Sequence, residues 1–264
     1  MSCIISTQTN RKTAIADAFS KAASIYDGHA QFQRDVGSEL LALMPERLDG
    51  LRVLDIGCGT GFFSERLAEK GAIVIAADLS SEMLKQAKNR CADKVVEYRE
   101  ADAEALPFAD DSFDLVFSSL ALQWCCDLSV PLKELQRVTK PAGRIYFSTL
   151  MDGSLNELKV AWSKIDTYQH VNNFLTNNQI NIALAQSGST NHQLDLRSIQ
   201  LWYSTAFQLM RDLKGIGATH VGDRSHGLTK RSALLQVENE YQIFKNEKDL
   251  LPATYQVCLG IINL

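Results

Sequence analysis

No apolar run in these 264 residues is long enough to cross a bilayer. The longest strongly apolar stretch, AIVIAA at 72–77, falls far short of the roughly 20 residues a spanning helix needs. The opening MSCIISTQTN lacks the charged and apolar regions of a secretory signal, which predicts a soluble cytoplasmic protein. Proline is scarce, at 5, and the 15 glycines are too few for a linker-rich architecture. Neither sign of charge dominates: 27 Lys and Arg against 31 Asp and Glu leave a net −4, which argues against nonspecific nucleic-acid binding. The six cysteines, at 3, 58, 91, 125, 126 and 258, form no C-x-x-C pair. Neither a zinc site nor a disulfide framework follows from that spacing, so the thiols are expected to be reduced and to serve as small apolar residues. What remains is ordinary globular composition, 45% hydrophobic and 22% charged, at a length suited to one large α/β domain carrying a lid.

Periodicity divides the chain. Residues 13–44 have a helical pattern, broken at Tyr26, Asp27 and Gly28, and 1–45 are expected to form an N-terminal helical cap. From 46 to 150 short apolar strands (51–57, 72–78, 95–102, 114–120 and 144–150) alternate with helices of about ten residues, the signature of βαβ units and a parallel sheet. Ser80 is placed to cap the helix that follows the second strand, and Pro141 and Gly143 close the one that starts at Ser129. Beyond 150 the pattern loosens. A helical reading of 155–190, strands at 198–204 and 253–262 and helices at 205–216 and 232–246 give 151–264 as a helical lid insertion that also completes the sheet.

The sharpest motif is VLDIGCGTGFF (53–63), which sets Asp55, Gly57, Gly59 and Gly61 at the carboxyl end of the first strand. Glycines there permit a tight turn and close approach by a ligand. An acidic residue just before the loop would repel a pyrophosphate but suits an α-amino cation, which favours S-adenosylmethionine over NAD. Asp78, ending the second strand, can accept from both ribose hydroxyls, with Leu79 beside it. Asp102, ending the third, can accept from an adenine amine while the Ala103 N–H donates to a ring nitrogen. All three acids fall at the carboxyl edge of one sheet, where open α/β sheets bind ligands.

This set resembles the class I S-adenosylmethionine-dependent methyltransferases over about residues 50–150. The resemblance implies a Rossmann-like α/β fold: a seven-stranded, mostly parallel sheet with one antiparallel strand, supplied by ATYQVCLGII (253–262), and helices on both faces. It also implies that Ser119 and Leu120, after the fourth strand, border the cofactor. Further segments, among them AIADAFSKAASIYDGHAQFQRD (14–35), SSLALQWCCDL (118–128), HVNNF (170–174) and LLPATYQVCLG (250–260), resemble the malonyl-acyl-carrier-protein O-methyltransferases over nearly the full length. That family methylates the free carboxylate of a malonyl thioester, the first step of pimeloyl formation in biotin synthesis, and its partner is a malonyl-loaded acyl-carrier protein. Coenzyme A in place of the carrier stays open. So do a methyltransferase of other specificity, acting on a quinone precursor or a short carboxylic acid, and a non-catalytic cofactor binder.

A carboxylic acid of this kind, with a pKa of roughly 3–4, is ionised at neutral pH, so neither a general base nor a metal is expected. The need is to hold it in line with the sulfonium methyl at about 3–3.5 Å. Arginine matches carboxylate geometry, which makes Arg211 the candidate, with Lys214 and His220 as rivals. Tyr26, Gln123 and Trp124 are expected to be pocket walls, Tyr26 over the methionine end. An acidic carrier calls for a basic docking face, and residues 209–231 hold Arg211, Lys214, Arg224, Lys230 and Arg231 against Asp212 and Asp223.

Overall fold

A computed structural model of the chain describes residues 2–218 and 230–264. Seven strands form one sheet: β1 (Arg52–Ile56), β2 (Ile73–Asp78), β3 (Glu97–Glu100), β4 (Phe113–Ser119), β5 (Thr139–Met151), β6 (His192–Tyr203) and β7 (Leu251–Asn263). Their order is β3-β2-β1-β4-β5-β7-β6. Neighbours pair in parallel from β3 to β5, whereas β7 runs antiparallel to both β5 and β6. The closing segment is therefore the single reversed strand, inserted one position from the edge.

Alternation along the strands builds two cores. Val53 and Val74 face one side, with Phe32 and Val36 of α2 (Gln31–Ala42), Leu67 of α3 (Phe62–Glu69) and Leu84 of α4 (Ser81–Cys91). Leu54 and Ile75 face the other, with Leu132 of α5 (Ser129–Val138) and Ile180 of α7 (Asn177–Gln186). Before α2 runs α1 (Ser2–Ala22). The Ser80 side chain accepts from the Met83 N–H, as its position before α4 predicts. Cys58, Cys91 and Cys258 are buried free thiols.

Three boundaries differ from the periodicity. β5 begins at Thr139, with Pro141 inside it: register with β4 jumps between Phe113 and Leu115, and pairing with β7 starts only at Arg144, so the missing N–H falls in a bulge. β6 spans His192–Tyr203, twelve residues, rather than 198–204, because an edge strand with solvent-facing Asp195 and Arg197 shows no clean alternation. The expected helix over 155–190 is two: α6 (Asn156–Ser163) and α7. Between them Asp166 accepts from the Tyr168 N–H at 2.9 Å and meets His170 Nε2 at 2.9 Å, local bonds that compete with the helix. The remaining helices are α8 (Ala206–Gly215) and α9 (Arg231–Tyr241).

Candidate active site

β1 delivers its glycine loop to the carboxyl edge of the sheet. Gly59 and Gly61 both have positive φ, 54° and 80°, which L side chains rarely adopt, but for different reasons. A Cβ on Gly59 would meet nothing within 4 Å and would enter the cleft beside it, so its absence leaves room for a ligand. A Cβ on Gly61 would lie 2.9 Å from Ala87 and from the Cys91 sulfur. Gly61 thus serves the packing of α3 on α4 and is not among the residues that line the cleft.

Asp55 also takes part in supporting the loop. It is 2% exposed, beneath the loop, and its Oδ2 accepts from Ser64 Oγ of α3 at 2.6 Å. Burial, opposed by that hydroxyl and reinforced by the Asp78 charge, pushes its pKa up to about 7. Asp55 supports the loop from below.

Above the loop lies an open cleft. Its walls include Gly57, Gly59, Asp78, Leu79, Asp102 and Ala103, then Ser119, Leu120 and Met83. Asp78 accepts from the Gly59 and Ser80 N–H groups, each at 2.8 Å, which fixes its carboxylate at the cleft. Burial raises its pKa, and these N–H bonds restrain the rise. Leu120 has φ +50°, a strained conformation held by its N–H donating to Ser148 O and Oγ at 3.1 and 3.0 Å. The open space over Gly59 and the fixed Asp78 carboxylate fit an adenosyl ligand with a ribose diol.

Two tethers close the cleft, and neither was legible in the sequence. Lys12 of α1 pairs with Asp102 and, at 2.6 Å, with Glu104. Asp27 accepts from Thr60 Oγ1 of the glycine loop at 2.7 Å and pairs with Arg90 of α4. The second tether holds the 3₁₀ turn Tyr26–Gly28 against the loop, and with it Tyr26.

A second chamber of about 690 Å³ adjoins the first, and Phe19, Tyr26, Leu120 and Trp124 line both. Phe19 meets Trp124 edge-on at 5.2 Å. Burial, with the Asp78 and Asp27 charges, pushes the Tyr26 phenol upward, so it is a donor at neutral pH. The chamber's other polar walls are Gln33, Gln123, His170 and Asn172. His170 stacks on Trp162 at 3.6 Å. No lysine or arginine lines this chamber among the described residues. Arg211 and Lys214 are exposed and, with Lys21 and His29, line a separate groove between α1 and α8. Arg211 therefore does not reach the chamber, because α8 turns its apolar residues Leu213 and Ile216 inward instead. Lys230 and Arg231 are exposed at the start of α9, whereas His220 and Arg224 lie outside the described residues.

Among the described residues no group of His, Cys, Asp or Glu could hold a metal ion, and no helix is long and apolar enough to cross a membrane. A family profile described as a methyltransferase domain matches residues 54–147. The chain is 44% identical to the malonyl-[acyl-carrier protein] O-methyltransferase of Pectobacterium atrosepticum, over 97% of this chain and 98% of that one. It is 42% identical to the biotin biosynthesis bifunctional protein BioHC of Cellvibrio japonicus, covering 93% of this chain and 49% of that protein. The YcgJ protein of Bacillus subtilis has a similar fold, with a TM-score of 0.63 at 18% identity over 87% of this chain and 97% of that one.

Proposed function

The chain belongs to the malonyl-[acyl-carrier protein] O-methyltransferases, and from that membership we propose that it methylates the free carboxylate of a malonyl thioester carried by an acyl-carrier protein, in biotin biosynthesis. The observation that carries this reading is the junction of two chambers at Phe19, Tyr26, Leu120 and Trp124, with a glycine-loop cleft on one side and, on the other, a chamber that no described lysine or arginine lines. S-adenosylmethionine, bound in the first, supplies a methyl carbon on a sulfonium sulfur, which passes to a carboxylate oxygen while the C–S electron pair returns to sulfur. Gly57, Gly59, Asp78, Leu79, Asp102, Ala103, Ser119 and Leu120 hold the adenosyl and methionine parts.

The chain's own residues mainly bind and align. No proton moves, because the carboxylate is already ionised. Tyr26, Gln33 and His170 offer donors that orient a carboxylate. Apolar walls such as Phe32, Leu155 and Tyr255 exclude water, which favours a step in which opposite charges cancel. Arg211 and Lys214, with Lys21, form a basic docking face for the acidic carrier, to which Lys230 and Arg231 add charge.

The test is incubation with S-adenosylmethionine and malonyl-loaded carrier, followed by mass spectrometry. A gain of one CH₂ unit on the malonyl carrier, and none on an acetyl-loaded control, is the expected result. Equal gain on both would overturn the carboxylate assignment.

A further inference from the structure

A further groove of about 910 Å³ adjoins the second chamber and shares Gln123, Leu150, Asn172 and Phe174 with it. Its other walls include the carboxamides Gln169 and Asn173, apolar Leu128 and Leu175, and Arg11. Gln123 stands at the junction of chamber and groove. Its Nε2 donates to Leu120 O at 2.7 Å. A carbonyl can only accept, so this bond fixes which end of the amide is which. The Oε1 is thereby turned away, buried and without a hydrogen-bond partner among the described residues. A buried acceptor left unpaired is costly, so an acceptor locked at a substrate junction indicates a donor on the substrate.

A malonyl thioester has no donor of its own. From the carboxylate outward it offers a carboxylate, a methylene, a carbonyl, a sulfur and two more methylenes. The first N–H along the chain belongs to the amide of the pantetheine arm. We propose that Gln123 Oε1 accepts this amide N–H, and that the groove beyond it holds the amide-bearing arm, for which Gln169 and Asn173 offer carboxamide partners and Leu128 and Leu175 apolar ones. Gln123 then acts as a specificity residue: it reads the carrier's arm and sets the distance from arm to reacting carboxylate. The inference rests on the reading given under Proposed function and adds the residue that recognises the thioester's tether.

The experiment compares two malonyl-loaded carrier proteins. One has the ordinary arm; in the other an ester oxygen replaces the N–H of the amide nearest sulfur. Wild-type enzyme should methylate the ester-arm substrate with kcat/KM about tenfold lower, as expected for loss of one hydrogen bond to a buried acceptor. In Gln123→Met the two substrates should become equivalent. The ratio within each enzyme is the readout, so general damage from the substitution does not mimic the effect. Equal turnover of both substrates by wild type, or discrimination that persists in Gln123→Met, would overturn the proposal while leaving the malonyl methyltransferase reading intact. Methylation of neither carrier would overturn that reading, and this inference with it.

Discussion

At the scale of single residues, Gly59 and Gly61, two of the loop's three positive-φ glycines, predict opposite phenotypes. Gly59→Ala adds a Cβ in open cleft space, so it should cost about 1 kcal/mol in backbone strain yet abolish most affinity for S-adenosylhomocysteine. Gly61→Ala adds the same strain plus contacts at 2.9 Å with α4. It should lower stability by a further ~1–3 kcal/mol through overpacking, with a smaller effect on ligand affinity in whatever fraction folds. Thermal unfolding and calorimetry on both variants separate these outcomes, and similar affinity losses would contradict the division. Asp55 yields a pH prediction. Its folded-state pKa, about 7, lies above the ordinary 3.8, so the folded chain binds the proton more tightly between those values. Its stability contribution is greatest below about pH 4 and is lost as pH rises through about 7. Asp55→Asn keeps an acceptor for Ser64 without the buried charge, so its unfolding midpoint should exceed wild type at alkaline pH and converge with it in acid. A constant difference across pH would refute this. These roles were only half legible in the sequence: the motif marked Asp55, Gly59 and Gly61 alike, but whether each faces a ligand, a helix or the layer beneath depends on neighbours remote in the chain.

Among elements, the short turn Tyr26–Gly28 does most to shape the site. Its break in the helical pattern was readable, but its clamp was not, because Thr60 and Arg90 lie 33 and 63 positions away from Asp27. Asp27→Ala frees that turn and should lower kcat/KM for the malonyl substrate by about tenfold, the order expected when charged hydrogen bonds are lost. Affinity for S-adenosylhomocysteine should fall less, since Asp27 does not line the cofactor cleft. Calorimetry beside steady-state kinetics checks the split, and equal losses would show that the turn supports the cofactor instead. The segment between α6 and α7 teaches a related lesson. It bears His170 and Asn172, chamber walls, precisely where helical periodicity was misleading; Asp166 diverts the backbone through local bonds.

For the whole molecule, net charge conceals a polarised surface. The chain totals −4, yet Lys21, Arg211 and Lys214 converge on the groove between α1 and α8. Reversing two of these charges, as in Arg211→Glu with Lys214→Glu, should raise KM for the carrier-bound substrate severalfold and flatten its dependence on salt, with kcat less affected. Unchanged salt dependence in the double variant would remove this groove from docking.

The amino-acid sequence by itself determined the strand–helix alternation, the reversed final strand and the line of cleft residues at the sheet's carboxyl edge. Those features follow from local periodicity and turn chemistry, which neighbouring residues dictate. Only the tertiary structure decided that Arg211 faces outward, that Lys12 and Asp27 bridge the N-terminal helices to the sheet edge and glycine loop, and that a second chamber meets the cofactor cleft. Each depends on which face of a helix is buried against which distant element, a choice made by packing across the whole fold and invisible in any short stretch of chain.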